Sequence, residues 1–212
     1  MTDQKYNEDR EIISNRPRQK QEFFAPRIYE SYSTRVSHFY LSDQIKEPAN
    51  YIEMVHRIKT AGSDEIIYIY LNTPGGCLTT GIQIISAMAA SQARIVTVLE
   101  GEACSLGSMI FLCGHEFIVN DHCLFMIHNF SGGGNNGKGH EQVAQLEATV
   151  NWFTKMAQDI YIPFLSQDEL ISVLNGQDIW LDSDQVRIRL VKMIKAIKKQ
   201  QKDEVKRLKP NT

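Results

Sequence analysis

Between residues 65 and 113 the chain runs twice through the same short programme: an apolar strand-like run, a turn built on glycine, and an apolar helix-like run. In the first pass, residues 65–71 (Glu-Ile-Ile-Tyr-Ile-Tyr-Leu) lead through Asn72-Thr73-Pro74-Gly75-Gly76 into residues 78–91, where Ile82, Ile85, Met88 and Ala89 are expected on one helical face. In the second, residues 95–99 lead through residues 101–107 into a helix over residues 109–113. A strand that is almost continuously β-branched and aromatic suits cover on both faces, as in a parallel sheet. Successive strand, turn and helix predict β-α-β units, hence an α/β protein whose functional turns lie at the C-terminal ends of parallel strands.

The flanking segments extend this reading. A first strand is expected over residues 35–41 and a helix over 48–61 with Ile52, Val55 and Ile58 at helical spacing. Two short strands, 117–120 and 123–127, follow the repeat, and His128 stands at the end of the second. Residues 131–139 form a glycine-dense loop able to lie extended beside a peptide. A long helix over 140–164 carries Val143, Leu146, Val150, Phe153, Met156, Ala157 and Ile160 in a stripe, too long for one domain to cover, which points to self-association. Ser166 reads as a helix N-cap, and Asp178 stands at the entrance of an apolar run over 179–181. The last helix places Val186, Leu190, Val191, Ile194 and Ile197 on one face and a dense set of Lys and Arg on the other, read as a solvated face.

Composition excludes several classes. A chain of 212 residues with 42% apolar residues suits one full-sized core. A net charge of −2 gives no pull toward nucleic acid or membrane, and no apolar run reaches the roughly 18–20 residues that cross a bilayer. The first 21 residues are polar and unlike a secretion signal, so a cytoplasmic location is expected. Cys77, Cys104, Cys113 and Cys123 form no C-x-x-C pair; free thiols are expected and no metal site.

The second glycine turn, Ala103-Cys104-Ser105-Leu106-Gly107, has the A-x-S-x-G form of a nucleophile elbow, in which small neighbours let a serine project while backbone N–H groups stay free. Alone, such a turn reads equally as a helix start, because serine also caps helices. Four motifs nevertheless fall in order at strand or turn boundaries: Pro74-Gly75-Gly76, the serine turn, Met126-Ile127-His128-Asn129 and Gln177-Asp178. Together they hold what acyl transfer needs, namely a nucleophile, a base, an orienting acid and N–H donors for an oxyanion, with no cofactor.

Over about residues 29–185 the sequence resembles the proteolytic-subunit family of the Clp protease, ClpP. The resemblance is carried by Tyr68-Ile-Tyr70-Leu-Asn-Thr-Pro-Gly-Gly76, by the serine turn, by Met126-Ile127-His128 and by the glycine-rich loop before a long helix. It implies a ClpP/crotonase-like α/β fold with a protruding handle helix. It implies Ser105 as nucleophile, His128 as general base, Asp178 as orienting acid, and the N–H groups of Gly76 and Leu106 as the oxyanion hole. Gly132, Gly133 and Gly134 would align an extended polypeptide substrate. Homo-oligomeric rings, a tetradecamer in the family, would enclose the sites, and Tyr68 and Tyr70 match the cleft where a hexameric AAA+ unfoldase docks.

On this reading residues 1–28 form an N-terminal arm, 29–185 the peptidase domain and 186–212 a basic helical extension. The arm, the extension and the segment from Arg187 to Lys192 depart from the family pattern, and Asp182 and Asp184 compete with Asp178 for the acid's role. A divergent, phage-encoded member would fit such departures. The alternatives are a non-catalytic ring subunit, a capsid-precursor maturation protease, and a crotonase-type acyl-CoA enzyme.

Overall fold

The computed structural model describes residues 34–132 and 138–208; the expected arm over 1–28 and two of the loop glycines, Gly133 and Gly134, lie outside them. Six strands share one sheet: β1 (Val36–Ser42), β2 (Ile66–Thr73), β3 (Arg94–Cys104), β4 (Glu116–Val119), β5 (Leu124–Ile127) and β6 (Ile179–Asp182), in the order β1-β2-β3-β5-β6 with β4 also on β3. The first five pair in parallel, and β6 runs antiparallel to β5. The helices are α1 (Ile52–Thr60), entered through a 3-10 turn at Pro48–Tyr51, then α2 (Leu78–Ala90), α3 (Leu106–Leu112), α4 (Gly139–Tyr161), α5 (Gln167–Leu174) and α6 (Ser183–Leu208). No helix among the described residues is long and apolar enough to cross a membrane.

Parallel pairing organises the site end of the sheet. β3 does not stop at Leu99, because Glu102, Ala103 and Cys104 find partners in Leu124, Phe125 and Met126. β4 therefore occupies the first half of one edge of β3, opposite Val96 to Leu99, and β5 the second half. The turn collapses from the seven residues expected to a single one, Ser105.

The faces of α2, α1 and β2 differ from expectation. The buried side of α2 is Thr80, Gly81, Ile84, Ala87 and Met88, with Ala89 exposed, because Gly81 receives the Leu106 side chain where any Cβ would collide with it. In α1 the core residues are Met54, Val55 and Ile58, while Ile52 is 60% exposed. β2 buries only one face, through Ile67, Ile69 and Leu71. Its other face carries Tyr68 and Tyr70, which register opposite His38 and Tyr40 of β1 and stack with them at ring separations of 5.2 and 4.6 Å. Tyr40 remains 62% exposed, so this aromatic ladder faces outward.

The long helix α4 protrudes as its stripe suggested: Phe153, Ala157 and Tyr161 are buried, while Val143, Leu146, Val150 and Trp152 are exposed. The root of α6 is buried through Val186, Leu190 and Met193, with Val191 38% exposed instead of joining that face. Arg187 has a structural use here, its guanidinium donating to the Val119 carbonyl at 2.9 Å and pairing with Asp121 and Asp184. Arg189 clamps α6 to α5 through Glu169 at 2.6 and 3.0 Å, and Glu169 also closes the capping box with Ser166.

Bonding to Arg189 is the main cause that lowers the Glu169 carboxyl from 4.5 to about 2. A depressed folded-state pKa contributes stability that is present above about pH 4.5 and lost as the pH falls toward 2. Thermal melts of the wild type should therefore lose more stability over that window than melts of Arg189→Gln, and equal losses would contradict the coupling.

Candidate active site

The residue after β3, Ser105, sits at φ 53° and ψ −122°, a region that a side-chain-bearing residue occupies only when its surroundings hold it there. Its N–H donates to the Met126 carbonyl at 2.9 Å, and its carbonyl accepts the Ser108 N–H at 3.0 Å and the Ser108 hydroxyl at 2.6 Å. Strand thus becomes helix within one residue, the geometry of a nucleophile elbow.

The earlier glycine turn lies flush against this elbow. The Thr73 hydroxyl donates to the Asp43 carbonyl at 2.6 Å and accepts the Gly75 N–H at 3.1 Å, which folds the turn. Gly75 has φ 96°, and a Cβ there would stand 2.8 Å from the Cys104 carbonyl oxygen and 2.9 Å from Ser105 Cβ. Ile45 brackets the next residue, donating to Gly75 at 2.8 Å and accepting from Cys77 at 2.9 Å, so that the Gly76 N–H is left out of the bridge. Leu106 opens α3, where an N–H has no intrahelical acceptor. Neither the Gly76 nor the Leu106 N–H has an acceptor among the described residues. Gly75→Ala should cost about 1–3 kcal/mol from backbone strain alone and displace the elbow, which chemical denaturation and probe labelling would show together; a variant with unaltered stability and labelling would refute the close packing.

Ser105, Leu106, Gly76, His128 and Gly132 all line one cleft of about 220 Å³, with Leu78, Met109, Phe130, Phe153 and Tyr161 forming its apolar wall. A larger cavity of about 490 Å³ beside Cys113 and α6 contains none of the first five. His128 is half-buried at the end of β5. Asp178 is exposed and outside the cleft lining, immediately before β6. The antiparallel register pairs Ile127 with Ile179, the chain neighbours of His128 and Asp178. Among the described residues no hydrogen bond joins Ser105, His128 and Asp178.

The competing carboxylates have other partners. Asp182 lies at the far end of β6, opposite Leu124, and caps α6 by accepting the Gln185 N–H at 2.8 Å while its own N–H donates to Gln185 Oε1 at 2.9 Å. Asp184 is held by Arg187 at 2.7 Å. Neither thiol near the turns rivals the serine. Burial and the Glu102 carboxylate push Cys104 up to about 11, leaving it a neutral thiol, and Cys77, lowered by the Thr79 and Thr80 hydroxyls, does not line the cleft.

The motifs did not single out Thr73, Ser108 or Tyr161. Thr73 had a local signal, a hydroxyl two residues before a glycine turn, which can accept that turn's N–H. Ser108 and Tyr161 meet across 53 residues of chain and have none.

A sequence model of the family described as Clp protease matches residues 25–205. The chain belongs to the Clp protease family. An ATP-dependent Clp protease proteolytic subunit of Ostreococcus tauri is 28% identical to it over 140 residues, covering 65% of this chain and 68% of that one. The resemblance read from the motifs and the expected α/β fold with its helical handle both hold for this Clp protease family member. Membership carries a coarse function with it, that of a serine peptidase.

Proposed function

We propose that this chain is a serine endopeptidase in which Ser105 attacks the peptide carbonyl, His128 takes its proton and returns it to the leaving amine, and Asp178 holds the imidazole in the required tautomer. The N–H groups of Gly76 and Leu106 receive the developing oxyanion. The observation that carries the reading is that Ser105, His128 and these two N–H groups, unpartnered among the described residues, share one cleft. An extended polypeptide is aligned at Gly132, with its side chain at the cleaved bond against the apolar wall, and hydrolysis itself uses no nucleotide or cofactor.

The exposed part of α4 packs ring against ring in a homo-oligomeric chamber, a tetradecamer, and the His38, Tyr40, Tyr68 and Tyr70 ladder receives a hexameric AAA+ unfoldase that feeds it. Residues 1–28, 29–185 and 186–212 serve as arm, peptidase domain and basic extension, the last rooted in the core by Val186, Leu190 and Met193. A second reading, a ring subunit without catalysis, draws on the absence of hydrogen bonds among Ser105, His128 and Asp178 in the described residues.

Native mass measurement and fluorophosphonate labelling of the same particle separate these readings. A ring-sized particle carrying one adduct per chain, on Ser105, is expected. An unlabelled ring without peptide cleavage would establish the second reading instead, and thioester turnover without labelling the acyl-CoA alternative.

A further inference from the structure

Beside the cleft, Ser108 is fully buried on the first turn of α3, and Tyr161 closes α4 at 1% exposure. Their hydroxyl oxygens are 2.8 Å apart, and Ser108 Oγ is 2.6 Å from the Ser105 carbonyl oxygen. A carbonyl oxygen can only accept, so the Ser108 proton is directed to Ser105. The hydrogen bond between the two hydroxyls must then be donated by Tyr161. The result is a directed chain from Tyr161 O–H to Ser108 O–H to the Ser105 carbonyl, which also takes the Ser108 N–H at 3.0 Å. Burial raises the Tyr161 phenol far above its ordinary value and keeps it a donor.

That carbonyl is one end of a planar trans peptide whose other end is the Leu106 N–H, pointing the opposite way. Two donors on the oxygen fix the orientation of the plane, and hence the aim of the N–H. Hydrogen bonds in series also polarise one another, which makes the N–H a stronger donor. We propose that Ser108 and Tyr161 are positioning residues that aim and polarise the Ser105–Leu106 peptide, tying the end of α4 to the oxyanion donor. The proposal rests on the reading of the Leu106 N–H as part of an oxyanion hole. A purely structural pair would serve only to satisfy a buried phenol and a helix serine, and its loss would lower stability without touching the chemical step.

The test uses the full chain with Tyr161→Phe, Ser108→Ala and the double variant. Phenylalanine keeps the ring's packing and removes only the hydroxyl, and thermal melts with native mass confirm that each variant is assembled. The readouts are fluorophosphonate acylation of Ser105, steady-state cleavage of a fluorogenic peptide amide with leucine at the cleaved bond, and inhibition by the matching peptide aldehyde.

Losing a whole oxyanion donor typically costs 100- to 1000-fold, so misaiming one is expected to lower kcat about tenfold, with KM within about twofold and aldehyde affinity falling in step with kcat. Because the two hydroxyls act in series, the double variant should be no slower than Ser108→Ala. Losses that multiply in the double variant, an effect on KM alone, or unchanged kcat beside a labelled wild type would overturn the positioning role and leave the functional reading intact. A wild type that takes up no probe at Ser105 overturns both.

Discussion

Alanine in place of Ser105 is expected to remove fluorophosphonate labelling and to lower peptide cleavage by on the order of 10⁵- to 10⁶-fold, the loss that follows when a triad nucleophile is deleted. The fold should not notice. Alanine keeps the Cβ that already occupies φ 53°, and the Ser105 hydroxyl makes no hydrogen bond among the described residues that its removal would orphan. Native mass and thermal stability should therefore match the wild type, so that lost activity cannot be charged to lost assembly. Labelling that persists at another residue, Cys77 being the thiol with the lowered pKa, would overturn the assignment.

Asp178→Asn is expected to reduce kcat by about 10³- to 10⁴-fold with little change in KM, since an amide leaves the imidazole in the wrong tautomer for accepting the serine proton. Asp182→Ala is the matched comparison. It removes the cap on α6 and should cost about 1 kcal/mol of stability, read by denaturant titration, while kcat stays within a few-fold. The reverse pattern, full activity in Asp178→Asn and a collapsed rate in Asp182→Ala, would transfer the acid's role. The place of Asp182 makes that reversal unexpected, because it stands at the far end of β6, opposite Leu124, where it caps α6.

Much of this arrangement was readable from residue order. The repeated strand, glycine turn and helix predicted a parallel sheet and placed Ser105 and His128 at strand ends, because β-branched runs and glycine punctuation are local signals. The acid was harder to choose among three aspartates. What separates them is the antiparallel register of β5 and β6, a pairing across more than fifty residues that no local pattern encodes. Side-chain faces slipped for a related reason. Periodicity in residues 78–90 allows several neighbouring stripes, and Gly81 against Leu106 selects one of them only once α2 and α3 meet. Glu102 to Cys104 read as turn because of the glycine before them, yet they become strand as soon as β5 offers its edge. Tyr161 falls within the helix expected over 140–164 but outside its apolar stripe, and only three-dimensional proximity reveals the partner of its hydroxyl.

β5 and β6 are neighbours in the sheet, but α4 and α5 lie between them along the chain. A growing polypeptide therefore releases Ser105 and His128 from the ribosome well before Asp178. On the proposed roles, the nascent protein holds a nucleophile and a base while the strand that delivers the acid has still to be made, and that strand docks only after two helices have been synthesised. On those roles the catalytic set is complete only once the last strand of the sheet has joined β5.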